Sequence, residues 1–341
     1  MISVRRFAES DRERWDGYVA RTPNSHFAHR TGWKRLVEES YGCRSHYWIA
    51  EDGGDVRGVL PLFEKRGPGS GRSLFSPPGG LLAEDEPTAQ ALLAPAVELL
   101  RRERWDLIEL RDQRHRWPDL ATVEEHVTME LALEPDAERQ WQGFGAKLRN
   151  QIRKGQKSGV TARWGPEGLA DFHHVLLENM RDLGTPILGP DYFQRALERL
   201  APEAEILVVD VEGRPVGAMF LVAHGDTFSD PWASSLRRFF DRCPNQLLYW
   251  EAIRHAIARG FKRFDFGRSQ PDSGTYRFKE QWGARPVRLY YQYVLGRAQA
   301  PPTLEAQKRS FDLAVRLWRL LPIPVAGVLG PLVRRLFPEA L

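Results

Sequence analysis

An internal duplication constrains the fold of this chain more than any other feature of its sequence. Residues 32–63 and residues 191–222 carry the same pattern, a short amphipathic helix followed by a strand, a tight turn and a second strand. The matching landmarks are Trp33 with Phe193, 160 positions apart, and Gly54 and Gly58 with Gly213 and Gly217, 159 positions apart. Glycine suits the tight turns that join such strands. The pattern therefore predicts two copies of one unit.

A second pair of matching segments extends the duplication. Residues 91–110 and 246–266 each predict a helix of about 15 residues that leads into a strand, at an offset near 156. Landmarks in the same order indicate an α/β (α+β) fold, in which each copy is a mostly antiparallel mixed sheet flanked by helices. We place the first domain at residues 1–135 and the second at residues 159–300.

Residues 136–158, between the two copies, predict a basic connecting helix. Its apolar residues recur at helical spacing at Trp141, Phe144, Leu148 and Ile152. The basic side chains of its second half are Arg149, Arg153, Lys154 and Lys157. We predict that Arg149, Arg153 and Lys154 bind an anionic partner, either a tRNA backbone or a lipid-linked diphosphate. The alternative is a charged face that only contacts solvent. Because no aromatic residues interleave with the cations, the segment is not a base-reading motif.

Composition excludes several classes of protein. With 341 residues, 42% of them hydrophobic, and 11 Trp, 17 Phe and 9 Tyr, the chain can fill two cores, which excludes intrinsic disorder. Two cysteines, Cys43 and Cys243, are too few for a disulfide framework or a thiolate metal site and indicate a reducing, cytoplasmic compartment. A net charge of +4 is too small to indicate nucleic-acid binding by itself. The histidines form no metal-ligand pattern, so we predict no metal, and residues 1–15 lack the apolar run of a secretory signal.

Residues 301–341 predict an amphipathic C-terminal tail. Fourteen uncharged residues lie between Arg319 and Arg334, but prolines and glycines interrupt them, and a spanning helix needs about 20 apolar residues. Arginines and aromatic residues flank this stretch, a composition that suits the headgroup region of a bilayer. We therefore predict peripheral contact with a membrane through residues 311–341. The alternative is a tail that packs on the protein's own surface.

The order of hairpin, helix and strand in each copy resembles that of N-acetyltransferase-like (GNAT) folds. Such folds usually bind acyl-CoA through a glycine-rich loop that opens the helix after the hairpin. The corresponding residues 237–246 contain no glycine, and the first copy has only Pro77-Pro78-Gly79-Gly80 there. The sequence therefore disfavours acyl-CoA bound in the usual manner, although arginine side chains can hold phosphate instead.

Residues 264–283 carry the most specific motif of the chain. A strand ending in Asp265-Phe266-Gly267 is followed by a short loop and then by Phe278-Lys279-Glu280-Gln281-Trp282-Gly283. This block resembles the FemAB/FemX aminoacyltransferases, and most closely the FemAB-related proteins associated with exosortase (PEP-CTERM) exopolysaccharide loci. The resemblance implies two tandem GNAT-like domains and transfer of an aminoacyl group from a charged tRNA to an amine on a cell-wall precursor. It also implies that Phe278 and Lys279 lie at the reaction centre.

Two departures from the family bear on the substrate. The chain has no room for the long coiled-coil insertion found in Fem proteins that act on tRNA. Leu188 stands where bridge-forming relatives place an arginine that holds the precursor's phosphate. The second departure disfavours a UDP-linked wall precursor as the acceptor.

Lys279 suits the chemistry that the resemblance implies. Aminolysis of an ester or thioester builds negative charge on the carbonyl oxygen, and a fixed ammonium stabilises that charge in the transition state. Lysine is rare in this chain, with 8 residues against 41 arginines, so the choice of lysine at this position is specific. Phe278 would shape the pocket. The alternative is a surface lysine beside a core aromatic residue.

The neighbouring polar and aromatic residues complete the predicted site. Asp265 accepts a proton from the attacking amine or, as we favour, orients the loop together with Arg268. Arg268 and Arg277 are candidates for contact with phosphate or carboxylate groups of a substrate. The aromatic candidates are Tyr276 and Trp282 as cleft walls and Trp232 for stacking, and their alternative role is in the core.

The leading hypothesis is an acyltransferase that moves an activated acyl or aminoacyl group onto an amine of a cell-envelope or exopolysaccharide-related precursor, glycan or lipid-linked. The chain is expected to need no cofactor, because the donor, an aminoacyl-tRNA, acyl-ACP or acyl-CoA, is a co-substrate. The alternatives are a small-substrate N-acyltransferase that uses acyl-ACP or acyl-CoA, and a non-catalytic scaffold docked on the membrane. We expect a cytoplasmic monomer, in peripheral contact with the inner face of the cytoplasmic membrane.

Overall fold

A computed structural model describes residues 2–66, 71–302 and 313–335, and these residues form two compact units. Within the described ranges, the first unit comprises residues up to Glu125 together with 288–302 and 334–335. The second comprises His126–Val287 together with 313–333. The basic segment and most of the described tail therefore belong to the second unit.

The first unit contains a mixed sheet with helices against it. Its strands are β1 (Ser3–Arg6), β2 (Ser45–Asp52), β3 (Asp55–Arg66), β4 (Arg72–Phe75), β5 (Leu82–Ala83) and β6 (Leu107–Gln113), and a further strand, β13 (Arg285–Leu295), returns from the end of the chain. Its helices are α1 (Arg12–Arg21), α2 (Thr31–Tyr41) and α3 (Glu86–Arg102). The strand order is β1-β2-β3-β4-β6-β13, with β5 paired to β3. Only the β4–β6 pair along this order is parallel.

The second unit repeats this arrangement. Its strands are β7 (Ala121–Ala132), β8 (Val160–Trp164), β9 (Ala204–Val211), β10 (Arg214–His224), β11 (Thr227–Ser235) and β12 (Arg263–Ser269). Its helices are α4 (Ala137–Gly143), α5 (Ala146–Lys157), α6 (Leu169–Leu183), α7 (Pro190–Arg199), α8 (Pro244–Ala258), α9 (Gly274–Glu280) and α10 (Ile323–Arg335). The order β8-β9-β10-β11-β12-β7 again has one parallel pair, β11–β12, at the position of β4–β6. The predicted fold of two duplicated α/β units is confirmed.

The duplicated glycines have two different physical reasons. Gly54 and Gly213 lie in the hairpin turns with φ of +90° and +73°, which favour glycine as predicted. Gly58 and Gly217 lie within strands, where a side chain would have no room. A Cβ at Gly58 would lie 2.8 Å from Leu92 Cδ1 on α3, and one at Gly217 would lie 2.6 Å from Ser235 Oγ and 2.8 Å from Val209 Cγ2 on the two neighbouring strands. The close approach of a helix therefore explains Gly58, and the side chains of the neighbouring strands explain Gly217.

The predicted continuous helix over residues 136–158 is two helices. Asp136 caps α4 by accepting a hydrogen bond from Arg139 N at 2.8 Å. The helix then ends because Phe144 and Gly145 have extended backbone, with ψ of 143° and 150°. This break turns Phe144 into the core, where it packs edge-on against Trp250 and Trp282.

The described part of the tail packs on the second unit. Residues 313–319 are helical, and Arg181 Nη1 donates to the carbonyl of Leu321 at 2.7 Å. On α10, Ala326 and Gly330 are buried, and a Cβ at Gly330 would lie 2.8 Å from the Ile187 carbonyl oxygen. The predicted alternative of a tail packed on the protein therefore holds for these residues, whereas residues 303–312 and 336–341 lie outside the described ranges. None of the described helices combines the length and apolar character needed to cross a bilayer.

Candidate functional site

The parallel strands β11 and β12 of the second unit stop pairing before either strand ends. Their register runs from Thr227–Arg263 to Ser229–Asp265, although β11 continues to Ser235. Immediately beyond this point both strands are irregular. The β10–β11 register shifts at Asp230-Pro231, and the β12–β7 register shifts between Asp265 and Arg268. Bulges of this kind re-aim side chains and are common beside active sites.

Asp265 holds the bulge in β12. Its buried Oδ1 accepts hydrogen bonds from Thr128 Oγ1 at 2.5 Å and from Gly267 N at 2.9 Å. Gly267 has φ of +71°, the left-handed conformation that a residue with a Cβ adopts at a cost. The orienting role predicted for Asp265 accounts for this geometry, with Thr128 and Gly267 as its partners.

Lys279 reaches the same bulge from α9. The helix begins after Ser273, whose Oγ accepts a hydrogen bond from Tyr276 N at 3.2 Å. Lys279 Nζ donates to the carbonyl oxygens of Gly267 at 2.9 Å and Arg268 at 3.1 Å. An ammonium has three N–H donors, so these two bonds leave one for a further acceptor. The side chain is 8% exposed and therefore does not extend into bulk water.

Asp230 is the residue that sequence reasoning missed. It is buried, and its Oδ1 has no hydrogen-bond partner among the described residues. Burial raises the pKa of Asp230 to about 7, while Lys279 and a hydrogen bond from Tyr249 act in the opposite direction. A Cβ built on Gly267 would lie 3.8 Å from Asp230 Oδ1, so this oxygen faces the β12 bulge. The available signal was an acid inside the otherwise apolar or small-residue strand Thr227–Ser235.

The charges of this cluster are coupled. Burial lowers the pKa of Lys279, and the nearby carboxylates of Asp230 and Asp265 counteract that effect. Burial and the Asp230 carboxylate raise the pKa of Tyr249 well above its usual range, so Tyr249 stays neutral. A carboxyl group with a pKa near neutrality beside a buried ammonium is the pattern expected of a general base next to a charge-stabilising cation.

An aromatic group lies against the polar cluster. Phe278 is half-buried and packs edge-on against Tyr249, with 5.2 Å between ring centroids. Trp282 is 1% exposed and packs against Phe144 and Phe266, which makes it a core residue and not an open cleft wall. Tyr276 is half-buried against the same core.

The other predicted residues lie in different surroundings. Arg268 and Arg277 are exposed, whereas Trp232 is half-buried and packs edge-on against Tyr192, Phe193 and Phe220. On α5, Arg153 and Lys154 are exposed, and the guanidinium of Arg153 lies 5.2 Å from the Trp141 ring centroid. Arg149 is half-buried, with an Nε that has no hydrogen-bond partner in the described part of the chain. The α5 helix packs on α8, where a Cβ at Gly155 would lie 3.4 Å from Leu247 Cβ.

Cys43 is half-buried and Cys243 is buried, and the two are not joined by a disulfide bond. Across residues 2–66, 71–302 and 313–335, no three His, Cys, Asp or Glu side chains are grouped so that they could hold a metal ion.

The bulge at Gly267 gives a prediction about backbone geometry. Gly267→Ala is expected to lower the free energy of unfolding by about 1–2 kcal/mol because alanine is strained at φ of +71°. It should also displace the Gly267 carbonyl from Lys279. Gly274→Ala is the matched control, since Gly274 begins α9 and a Cβ there meets nothing within 4 Å. Chemical denaturation measures the free energy of unfolding of both variants. Equal values for the two would contradict the claim that the backbone at Gly267 strains any other residue.

The second unit matches a family model. Residues 143–280 match the model described as "Acetyltransferase (GNAT) domain", which covers β12, α8 and the residues around Asp230 and Lys279. The matched domain is that of an acyltransferase, as predicted. None of the curated proteins matches the chain.

Solved structures share the fold of nearly the whole chain. FemX is similar at a TM-score of 0.72 and 15% identity, over 90% of this chain and 99% of FemX. The C-terminal DUF2156 domain from Agrobacterium fabrum, assigned as part of a lysylphosphatidylglycerol synthetase, has a TM-score of 0.60 and 14% identity, over 90% of this chain and 96% of that domain. A tandem GNAT protein from the clavulanic acid biosynthesis pathway has a TM-score of 0.57 and 12% identity, over 89% of this chain and 100% of its own. The predicted tandem GNAT-like, FemX-like fold is confirmed.

Proposed function

We propose that the second unit transfers an activated acyl or aminoacyl group onto an amine, with Asp230 as general base and Lys279 as the cation beside the reacting carbonyl. The observation that carries this proposal is the buried Asp230 carboxyl beside a buried lysine, where β11 and β12 stop pairing. Its Oδ1 has no hydrogen-bond partner among the residues that the structure describes. An orphaned acceptor in such a place is costly unless a ligand supplies the missing donor.

The chemistry would proceed by direct aminolysis. The amine nitrogen attacks the carbonyl carbon of the donor, forming a C–N bond and an oxyanion, and Asp230 accepts a proton from that nitrogen. Lys279 stabilises the oxyanion with the N–H that Gly267 and Arg268 do not use. The oxyanion then collapses, the C–O or C–S bond of the donor breaks, and the alcohol or thiol leaves with the proton that Asp230 had accepted, which returns Asp230 to its carboxylate form. Asp265 acts as a positioning residue because it fixes the bulge that both groups face.

Aminoacyl-tRNA is the donor that we favour. The segment 237–246 has no glycine, so the usual loop for the pyrophosphate of CoA is missing ahead of α8. The exposed cations of α5 offer a surface for a nucleic-acid backbone instead. FemX and the domain assigned to lysylphosphatidylglycerol synthesis share this fold. The acceptor that we propose is an amine on a cell-envelope or exopolysaccharide-related precursor.

A donor panel tests this function. The purified protein is incubated with aminoacyl-tRNA, acyl-ACP or acyl-CoA and a mixture of amine acceptors, and mass spectrometry detects the new amide. We expect transfer from aminoacyl-tRNA that weakens with added salt. Transfer from acyl-ACP or acyl-CoA alone would support the small-substrate alternative, and no transfer from any donor would contradict the proposal.

A triple variant tests in the same assay whether the exposed cations of α5 bind the donor. Arg153→Gln, Lys154→Gln and Lys157→Gln together are expected to raise the KM for aminoacyl-tRNA about tenfold or more, because phosphate contacts dominate such affinities. The matched control replaces three exposed cations elsewhere in the same unit, Arg214, Arg254 and Lys262, by Gln. An equal effect of both triple variants would show that net charge alone matters and that α5 is not the donor surface.

A further inference from the structure

The exposed apolar side chains of this protein are concentrated in one segment. Ten large hydrophobic residues are exposed in the described ranges, and seven of them are Leu313, Leu317, Leu320, Val325, Val328, Leu329 and Leu332. Leu183, also exposed, adjoins them, since its carbonyl accepts a hydrogen bond from Arg319. Soluble monomers rarely expose contiguous apolar surface of this kind without a binding role.

The segment is held on the protein by its other side. Small residues face the body of the second unit, where Gly327 and Gly330 of α10 approach Leu177 and Ile187 closely. Arg181 fixes the preceding turn through the carbonyl of Leu321. The apolar residues therefore project outward from an anchored element, and their exposure does not come from an unattached end of the chain.

The charge and side-chain types of the segment indicate which kind of partner it binds: a second copy, another protein or a lipid surface. Residues 313–335 contain four arginines, Arg316, Arg319, Arg334 and Arg335, and no aspartate or glutamate. A second copy of the segment would bring like charges together, which disfavours self-association. The exposed apolar residues are Leu and Val, which are under-represented among the hot spots of protein interfaces. Aliphatic side chains bordered by arginines suit the boundary between acyl chains and anionic headgroups.

We propose that residues 313–335 are a docking surface for an anionic phospholipid bilayer. The leucines and valines enter the interface, the arginines contact lipid phosphates, and the small-residue side of α10 stays on the protein. With 13 residues, α10 is too short to span a bilayer, so the contact is peripheral. Docking would hold the second unit beside a membrane without any role in the chemistry at Asp230.

Vesicle flotation tests the proposal. The wild-type protein is expected to float with vesicles of phosphatidylcholine and phosphatidylglycerol, to bind pure phosphatidylcholine at least tenfold more weakly, and to dissociate as salt is added. Replacing Leu317, Leu320 and Val328 by Glu should reduce binding more than tenfold. Arg316→Gln with Arg319→Gln should reduce it about tenfold. Leu295→Glu is the control, because Leu295 is an exposed hydrophobic residue of the first unit and its loss should leave flotation unchanged.

Circular dichroism establishes that each variant is folded before it is compared. Absence of flotation for the wild-type protein, or flotation that the tail variants leave unchanged, would overturn the proposal. A wild-type dimer in light scattering that the Glu variant converts to a monomer, with no lipid binding, would likewise overturn it and assign the surface to a second copy. Transfer to a soluble amine does not require docking, so a negative result here leaves the proposed function standing.

Discussion

Asp230→Asn is expected to abolish acyl transfer and at the same time to stabilise the folded protein above about pH 7. Loss of a general base typically lowers the rate by about 10²–10⁴-fold, because asparagine cannot accept the proton of the attacking amine. The variant keeps the size of the side chain and its contact with Tyr249, so the loss would be chemical and not structural. Steady-state transfer assays measure the rate.

The stabilisation follows from the raised pKa of Asp230. The ordinary value is 3.8 and burial raises the pKa to about 7, so the folded state binds this proton more tightly than the unfolded state does. The contribution of Asp230 to the free energy of unfolding is therefore most favourable below about pH 4, falls as the pH rises towards 7, and carries the full penalty above that. The rise in pKa corresponds to a loss of at most about 4 kcal/mol in the free energy of unfolding when the carboxyl is charged. The neutral asparagine does not incur this loss at pH 8.

Denaturant unfolding of the wild type and Asp230→Asn at about pH 5 and pH 8 measures this difference. Asp226→Asn is the matched control, because Asp226 is exposed at the start of the same hairpin. A variant that is no more stable than the wild type at pH 8, or that transfers at the wild-type rate, would contradict the role of Asp230.

Lys279→Met is expected to have the second largest effect. Loss of one charge-stabilising donor typically costs about 10²–10³-fold in rate. Methionine would also leave the carbonyl oxygens of Gly267 and Arg268 without their donor, and each buried unsatisfied group costs about 1–3 kcal/mol. Lys279→Arg should not restore the rate, because a planar guanidinium does not reproduce the geometry of the ammonium.

Comparing kcat with the free energy of unfolding of Lys279→Met distinguishes a structural role of Lys279 from a catalytic one. A residue that only clamps the bulge would lower stability and leave kcat unchanged at temperatures where the variant stays folded. A residue that contacts the reacting carbonyl would lower kcat under the same conditions. Lys262→Met, at an exposed position of the same unit, is the control. The lowered pKa of Lys279 predicts in addition that the rate falls at a lower alkaline pH than an ordinary lysine would give.

The duplication visible in the sequence predicted most of the fold. Trp33 with Phe193 and the four repeated glycines indicated the position and order of the matching elements, because tight turns and close packing against a strand require particular residues. The pairing of the two strands β7 and β13 was not predictable from the sequence. β7 follows β6 along the chain but pairs in the second unit, and β13 pairs with β6 in the first. Local sequence contains no signal for a partner far away along the chain.

The candidate site was only partly predictable. The motif around Asp265 and Lys279 identified the β12 bulge and the side chain that reaches it, since both lie within one short segment. Asp230 lies on β11, 35 residues before Asp265, and the parallel pairing of residues 227–229 with residues 263–265 brings the two strands together. Its raised pKa is a property of burial and cannot be read from the neighbours in sequence.

The pH dependence of transfer tests the central claim most directly. With the donor that supports turnover, kcat/KM is measured from roughly pH 5 to pH 9 for the wild type, Asp230→Asn and Asp226→Asn. The proposed mechanism predicts a rate that rises with pH to a plateau with a midpoint near 7, in the wild type and in Asp226→Asn, and no such rise in Asp230→Asn. A wild-type rate that is independent of pH over this range, or an Asp230→Asn variant with the wild-type profile, would contradict it.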